Sequence, residues 1–311
     1  MTPYGGPGFE EKVIPGRIEL RFEYGGYTTY FHRFYLPDRG SFERTFTLKE
    51  NRSLTPGQPW TNSLGMNMEP LSETLMVAAW ETRSGDFRAY LKATREKQGE
   101  IILSNDPEVP VAGVTRAECE AFCEWLTEKE RPDFINQDYS YRLPTDQEWS
   151  RMVGLIEIGD GPAEREIELA NEGEFPWGGD FPPSERAGNY GDQSARAILP
   201  LERLISDYDD GFEGLAPVGK FAENVIGVFD LGGNVQEWVS DSYLSDVPDE
   251  EALGVLRGGG WNSFSEPHLE SRFRYPADID SRKESFGFRV VLAKNEEEEQ
   301  KEDPLNEDTD G

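Results

Sequence analysis

Residues 227–238 read GVFDLGGNVQEW and typify the C-terminal half of the chain, which is rich in glycine, asparagine, aspartate and aromatic residues. From 154 to 293 no long helical period appears. Short strands are predicted instead at GVFDLG (227–232), GVLRGG (254–259) and GFRVVLA (287–293). This half of the chain therefore favours a sheet connected by many loops.

Three helices are predicted in the part of the chain that precedes this loop-rich half. In SGDFRAYLKATRE, apolar residues recur at helical spacing and Ser84 is the expected N-cap. The two helices after it each begin with a capping box, Thr115 with Glu118 and Thr145 with Glu148. Helices first and a loop-rich sheet later, in one unit of about 235 residues, indicate an α+β fold.

A small β appendage is predicted ahead of this unit. Ile18, Leu20, Phe22 and Tyr24 alternate with polar residues, and a Gly-Gly turn and a second aromatic run follow. This pattern predicts a β-hairpin, with RTFTL (44–48) as a third strand. The Pro/Gly-rich linker SLTPGQPW separates it from the rest. We therefore divide the chain into an appendage (1–55), a main domain (56–293) and a tail (294–311).

The charge of the chain restricts its partners. The 311 residues carry a formal net charge of −30. The tail 294–311 contains nine acidic and two basic residues and almost nothing apolar, so we expect it to be disordered. Such a chain repels phosphate backbones and anionic lipid surfaces, so neither nucleic-acid binding nor membrane binding is expected. Divalent cations are the natural partners of its clustered carboxylates.

The compartment remains open from the sequence. The first residues show neither a basic region nor an apolar region of a secretory signal, and no apolar run approaches the ~20 residues that span a bilayer. A cytoplasmic protein is the default expectation. Cys119 and Cys123, four residues apart in a predicted helix, are poorly placed for a disulfide. They are interpreted as two small buried apolar residues, with a redox or metal pair as the alternative.

Seven short motifs lie along the chain: NSLGM (62–66), AFCEWLTE (121–128), YRLPTDQEW (141–149), DDGF with APVGKF (209–221), GVFDLGGNVQEW (227–238), LRGGGWN (256–262) and FGFRVV (286–291). In this order they resemble the sulfatase-modifying-factor family, which includes the formylglycine-generating enzyme. The resemblance covers about three quarters of the chain, from residue 60 to residue 293. It implies a variant of the C-type lectin fold with little regular secondary structure.

The resemblance also shows where the chain departs from the family's catalytic pattern. The family's oxidase binds copper(I) through two cysteines and converts a substrate cysteine to formylglycine with dioxygen. Alignment on RGGGWNS places Ser263 at the first cysteine, and counting back from RFR places Glu270 near the second. Oxygen donors do not suit copper(I). Copper binding and formylglycine-generating activity are therefore not expected.

Calcium sites of the family map better onto this sequence. The resemblance implies two sites built from side-chain and backbone oxygens, which are the donors that calcium prefers. The competing interpretation is that the carboxylates only cap turns. The implied ligands are Asn189, Tyr190, Asp210 and Phe212 for the first site, and Asp230, Gly233, Val235 and Glu237 for the second.

The segment RGGGWNSFSEPHLESRFR (257–274) is interpreted as the frame of a ligand groove. We expect a non-catalytic binding or scaffold module, a pseudoenzyme, that holds a peptide, protein or glycan. The alternative is an enzyme with altered, non-copper chemistry, in which His268 activates Ser263 beside Glu270. The groove residues are Trp261, Asn262, Ser263, His268, Glu270, Arg272 and Arg274.

Two groups of residues in this region have structural interpretations as well. Trp238, Trp261, Phe286 and Phe288 are expected to fill the core, and Arg272, Arg274 and Arg289 to pair with carboxylates such as Glu237. The alternative role for these arginines is to bind an anionic ligand through bidentate contacts.

Overall fold

The computed structural model describes four stretches of the chain in full and the backbone of two further strands. The stretches are 54–131, 133–155, 171–243 and 253–295, and the strands lie at 16–22 and 30–36. The predicted third strand RTFTL (44–48) and nearly all of the predicted acidic tail lie outside the described residues. No helix in the described part of the chain combines the length and apolar character that a membrane span requires.

The predicted N-terminal hairpin is confirmed. Strand β1 (Gly16–Phe22) pairs antiparallel with β2 (Tyr30–Leu36), with Gly16 opposite Leu36 and Phe22 opposite Tyr30.

Two sheets form the body of the molecule. One contains five strands in the order β3-β4-β5-β11-β6, all antiparallel. The other contains four in the order β10-β7-β8-β9, of which only β10 and β7 run parallel. Their bounds are β3 Trp60–Thr61, β4 Asn67–Pro70, β5 Leu75–Ala78, β6 Tyr139–Arg142, β7 Gln236–Ser242, β8 Gly254–Arg257, β9 Arg274–Ala277, β10 Phe286–Gly287 and β11 Val291–Lys294.

The three predicted helices are present, with α1 at Ser84–Thr94, α2 at Arg116–Glu130 and α3 at Asp146–Val153. Both predicted capping boxes form, at Thr115 and at Thr145. The N-cap predicted for α1 is wrong by one residue. Arg83 takes that place because the Asp86 carboxylate accepts hydrogen bonds from its backbone N–H at 3.1 Å and its Nε at 2.9 Å. A short fourth helix, α4, covers Glu266–Leu269.

Two of the three predicted C-terminal strands are confirmed, GVLRGG as β8 and GFRVVLA as β10 with β11. The strand predicted at GVFDLG (227–232) is wrong, because these residues form turns. Gly227 has φ of +79° and Asp230 has φ of +61°, and left-handed backbone cannot continue a strand. The strand β7 begins only at Gln236, after the Gly-Gly turn.

The predicted aromatic core is confirmed, since Trp238, Trp261, Phe286 and Phe288 are all buried. In the main cluster, Phe122 of α2 packs against Phe288 with ring centroids 5.5 Å apart. A smaller cluster joins Leu269 of α4 to Phe175, Tyr190 and Tyr208. Tyr190 and Tyr208 of this cluster also belong to the loop in which the first calcium site is predicted. The overall architecture is the predicted α+β fold, with few helices and two sheets.

Candidate cation loops and ligand groove

The turn that precedes β7 holds an acidic side chain in the interior. Asp230 is buried, and its Oδ2 accepts a hydrogen bond from the Gly219 N–H at 2.7 Å. Its Oδ1 is enclosed and has no hydrogen-bond partner. Burial raises the pKa of Asp230 to about 6. The turn therefore holds one buried oxygen atom, Asp230 Oδ1, that has no hydrogen-bond partner and is of the kind that binds hard cations.

A second buried carboxylate faces the same turn and was missed from the sequence. Glu81 accepts hydrogen bonds from the Val235 N–H at 2.9 Å and from Asn234 Nδ2 at 2.7 Å. Burial, together with the nearby Asp230 and Glu237, raises the pKa of Glu81 well above its usual value. The only signal in the sequence is that Glu81 directly follows the apolar run LMVAAW (75–80).

Glu237, a predicted cation ligand, has both carboxylate oxygens engaged in the structure. Arg289 donates from Nη2 to Oε1 at 2.6 Å and from Nε to Oε2 at 2.7 Å, and Trp149 Nε1 donates to Oε2 at 3.0 Å. Both members of the Arg289–Glu237 pair are 1% exposed or less. The expected pairing of Arg289 with a carboxylate is therefore present, and it takes up the oxygens that a cation would need.

The first predicted calcium site lies in the loop that contains Asn189, Tyr190, Asp210 and Phe212, which we call the first cation loop. Asp210 brings the residues of this loop together. The Asp210 carboxylate accepts the Phe212 N–H at 2.7 Å and the Tyr190 N–H at 2.9 Å. Burial and the neighbouring carboxylate of Asp192 raise the pKa of Asp210 to about 7. Asn189 is 1% exposed, and its Oδ1 is buried without a hydrogen-bond partner.

The two loops are connected directly to each other. Asn189 Nδ2 donates to Asn234 Oδ1 at 2.9 Å, and the Asn234 N–H donates to the Asn189 carbonyl at 2.9 Å. Gly233 is required at this contact, because a Cβ on it would lie 2.5 Å from the Asn189 carbonyl oxygen. A ligand that orders one loop would thus also act on the other.

Of the predicted calcium ligands, Asn189 and Asp230 have oxygen atoms available for a cation, whereas Glu237 does not. Asn189 Oδ1 and Asp230 Oδ1 are buried oxygens without partners, which is the kind of donor that a hard cation takes. Glu237 does not fit in its present arrangement, because Arg289 occupies it. Among the described residues, no group of three or more His, Cys, Asp or Glu side chains is arranged to hold a metal. A cation here would need backbone carbonyls as further ligands.

The predicted groove begins at a tightly folded loop after β8. Ser263 Oγ accepts a hydrogen bond from the Gly260 N–H at 3.0 Å, and the Ser263 carbonyl accepts one from the Gly191 N–H at 2.8 Å. Trp261 is buried and donates from Nε1 to the Glu284 carbonyl at 3.2 Å. Ser263 and Asn262 remain partly exposed. The loop thus presents small polar groups to solvent from a fixed backbone.

The arginines among the predicted groove residues form ion pairs. Arg272 Nε lies 2.5 Å from Glu270 Oε2, and Arg274 Nε lies 2.8 Å from Asp146 Oδ2. His268 is exposed, and its ring packs on Phe273 with centroids 4.6 Å apart. The structural role predicted for both arginines is therefore present, and both retain partial exposure.

The two cysteines are residues of α2 and belong to the main core cluster. Cys119 and Cys123 are buried there, and the Cys119 Sγ donates to the Thr115 carbonyl. Burial raises the pKa of both thiols, so the thiolate forms that bind metals are disfavoured. Of the two interpretations left open by the sequence, this environment agrees with small buried apolar residues.

Comparison with known proteins identifies several relatives. The mouse protein named inactive C-alpha-formylglycine-generating enzyme 2 is 24% identical over 301 residues, which cover 94% of this chain and 73% of the relative. The formylglycine-generating enzyme of Thermomonospora curvata is 28% identical over 160 residues, 51% of this chain and 41% of that enzyme.

Among solved structures, PvdO from Pseudomonas aeruginosa superposes with a TM-score of 0.53 at 19% identity, covering 78% of this chain and all of that chain. This likeness supports the fold alone. The sequence match is broader, since residues 43–294 match the sulfatase-modifying factor enzyme 1-like domain. The chain therefore belongs to the family of sulfatase-modifying factor enzyme 1-like domains.

Proposed function

We propose that this chain is a non-catalytic member of its family, a binding or scaffold module whose groove, framed by 257–274, holds a peptide, protein or glycan. The observation that carries the proposal is the chemistry at the two positions that the resemblance aligns with the catalytic cysteines. Ser263 and Glu270 supply oxygen there, and both are committed, one to a backbone N–H and the other to Arg272. Soft donors for copper(I) are missing from both positions.

The relatives support this assignment. One relative that is similar over most of the chain is named as an inactive formylglycine-generating enzyme. The matched catalytic enzyme of Thermomonospora curvata is covered over less than half of its length. A family member that keeps the fold without the thiols is consistent with both matches.

The groove offers the contacts of a ligand site rather than of a reaction centre. Asn262 provides an amide group, and Arg272 and Arg274 are partly exposed, with the Arg274 guanidinium over the Tyr243 ring at 5.2 Å. Such groups bind carboxylates, backbone carbonyls or sugar hydroxyls. The Gly260 turn fixes the backbone of one side, which reduces the entropy lost when a ligand binds.

Calcium has a supporting role in this proposal. Asn189, Asp210 and the Tyr190 and Phe212 carbonyls would hold one ion, and Asp230 with the Gly233 and Val235 carbonyls would hold another. When bound, the ion supplies only positive charge that orders the loops. Because the Gly191 N–H bonds the Ser263 carbonyl, the first loop is coupled to the groove.

The alternative is an enzyme in which His268 activates Ser263 beside Glu270. No observation favours it, because the His268 ring packs on Phe273 and Ser263 Oγ is held by the Gly260 N–H. This alternative predicts that Ser263→Ala and His268→Ala abolish turnover of a ligand found by the screen below.

The experiment that tests the proposal is a screen of peptide and glycan arrays with the purified chain in calcium and in EDTA. We expect ligand binding that Asn262→Ala or Arg272→Ala weakens, whereas Lys92→Ala, on the exposed surface of α1, leaves it unchanged. Chemical conversion of the bound ligand, or binding that is insensitive to both groove variants, would contradict the proposal.

A further inference from the structure

The first cation loop contains a carboxylate that the resemblance does not assign. Asp192 is completely buried. Its Oδ1 accepts the Ser194 N–H at 2.8 Å, and its Oδ2 accepts the Asp210 N–H at 2.5 Å. The charge of Asp192 also raises the pKa of Asp210, after burial as the main cause. The Asp192 carboxylate therefore lies against the backbone of Asp210, the residue whose carboxylate the resemblance assigns to this loop.

A third carboxylate lies near this pair. It belongs to Asp209, which directly precedes Asp210 and raises the pKa of Asp192 further, after burial as the main cause. Asp209 Oδ1 accepts a hydrogen bond from Ser194 Oγ at 2.5 Å. By contrast, the buried Glu237 of the other loop is neutralised by Arg289. A buried carboxyl group beside a half-buried one needs either a shared proton or a cation.

A neighbouring oxygen independently indicates a ligand. Asn189 Oδ1 is buried without a partner, and Asn189 directly precedes the residue whose N–H is held by Asp210. A buried amide oxygen without a hydrogen bond is costly unless something binds it. Amide and carboxylate oxygens together are donors for a hard divalent cation.

We propose that Asp192 is a direct ligand of the cation at the first loop, so that this loop binds calcium with two carboxylates, Asp192 and Asp210, and the Asn189 amide oxygen. The proposal rests on the calcium-binding part of the proposed function. It goes beyond it because the resemblance implies only one carboxylate, Asp210, at this loop. More ligand charge gives tighter calcium binding, so this loop is the stronger of the two sites.

The test uses the full chain and measures calcium affinity by titration calorimetry and thermal stability with calcium or EDTA. Asp192→Asn removes the charge but keeps the side-chain oxygen that caps Ser194. We expect it to weaken calcium binding at the stronger site by about tenfold or more, because ligand charge sets affinity. The matched control is Asp209→Asn, which removes an exposed charge from the same segment, and we expect it to change the affinity by less than about twofold.

Stability in EDTA separates a ligand from a purely structural residue. As a ligand, Asp192 repels Asp210 when the cation is removed. Asp192→Asn should therefore lose less stability in EDTA, where the hydrogen bond from the Asp210 N–H is lost but the repulsion is relieved, than in calcium. Terbium luminescence sensitised by Tyr190 and Tyr208, whose ring centroids lie 5.8 Å apart, gives a second readout of this site. It should fall in Asp192→Asn and persist in Asp209→Asn.

The outcomes distinguish this proposal from the one on which it rests. Two results would overturn the role of Asp192 and leave calcium binding intact. One is that Asp192→Asn loses as much stability in EDTA as in calcium. The other is that Asp192→Asn keeps the calcium affinity of the wild type while Asp210→Asn lowers it. A wild-type chain that shows no calcium binding and no calcium-dependent stability would overturn both. If Asp192→Asn fails to fold, Asp192→Glu, which keeps the charge but moves it, should fold and still bind calcium more weakly than the wild type.

Discussion

Replacement of Arg289 by methionine removes the cation of a buried acidic cluster while keeping a long side chain. The Arg289 guanidinium donates two hydrogen bonds to Glu237, at 2.6 and 2.7 Å, and further ones to the Phe229 and Ala78 carbonyls at 2.8 and 3.2 Å. Loss of one partner of a buried ion pair costs about 3–5 kcal/mol. Because a domain is stable by about 5–15 kcal/mol, we expect a large fall in the free energy of unfolding.

The same variant should change how stability depends on pH. Arg289 lowers the pKa values of Glu81 and Asp230, so its removal raises them further above the values of the unfolded chain. At pH values between the unfolded-state and the folded-state pKa of each carboxyl group, the folded state then binds more protons than the unfolded state. Stability must therefore fall as pH rises through that window. Arg289→Met should be less impaired at pH 5 than at pH 8.

Urea unfolding of the wild type and Arg289→Met in EDTA, at both pH values, measures these effects. The double variant Arg289→Met/Glu237→Gln should recover part of the loss at pH 8, because it removes the charge left unpaired. A loss below about 1 kcal/mol at pH 8, the value of an exposed pair, would refute the reasoning. So would a double variant that is less stable than Arg289→Met alone.

Three further predictions concern the loops and the helices. Gly233→Ala should lower the free energy of unfolding in urea by about 1–3 kcal/mol, because the added Cβ would clash with the Asn189 carbonyl oxygen. The control Gly214→Ala should be nearly neutral, because no atom lies within 4 Å of the Cβ that it adds. Thr115→Ala should cost about 1 kcal/mol through loss of the α2 cap, and an unchanged unfolding midpoint would contradict this. Burial raises the pKa values of Asp210 and Asp230 to about 7 and about 6, so in EDTA their contribution to stability falls as pH rises from 4 to 8. The increase in melting temperature caused by calcium should accordingly grow over the same range, and thermal melts in which it stays constant would refute this.

Local signals in the sequence predicted the elements whose structure depends on nearby residues. The boxes at Thr115 and Thr145 fix the starts of α2 and α3 because both partners lie within one turn. The start of α1 was placed at Ser84 because serine is a common N-cap. Asp86 instead binds Arg83, and the Ser84 hydroxyl donates to the Pro110 carbonyl at 3.2 Å, a distant contact that no local rule contains.

Long-range contacts limited the prediction of the site. Glu81 reaches Asn234 across 153 positions of the chain, and nothing near Glu81 in the sequence indicates this. The engagement of Glu237 by Arg289 was anticipated as one of two roles for that arginine, but its consequence for cation binding was not. The sequence does not single out Asp192, whose side chain caps the short 3-10 helix Gln193–Ala197 as an aspartate at a helix start commonly does. Its contact with Asp210 appears only when the loop is folded.

According to the proposed function, this chain has the fold of its family but does not carry out the oxidase reaction. The most direct test of this claim is incubation of the chain with a cysteine-containing substrate peptide, copper(I) and dioxygen, followed by mass spectrometry, with the enzyme from Thermomonospora curvata as the positive control. We expect the peptide cysteine to remain unconverted, because Ser263 and Glu270 offer no thiolate. Formation of the aldehyde product by this chain would contradict the claim.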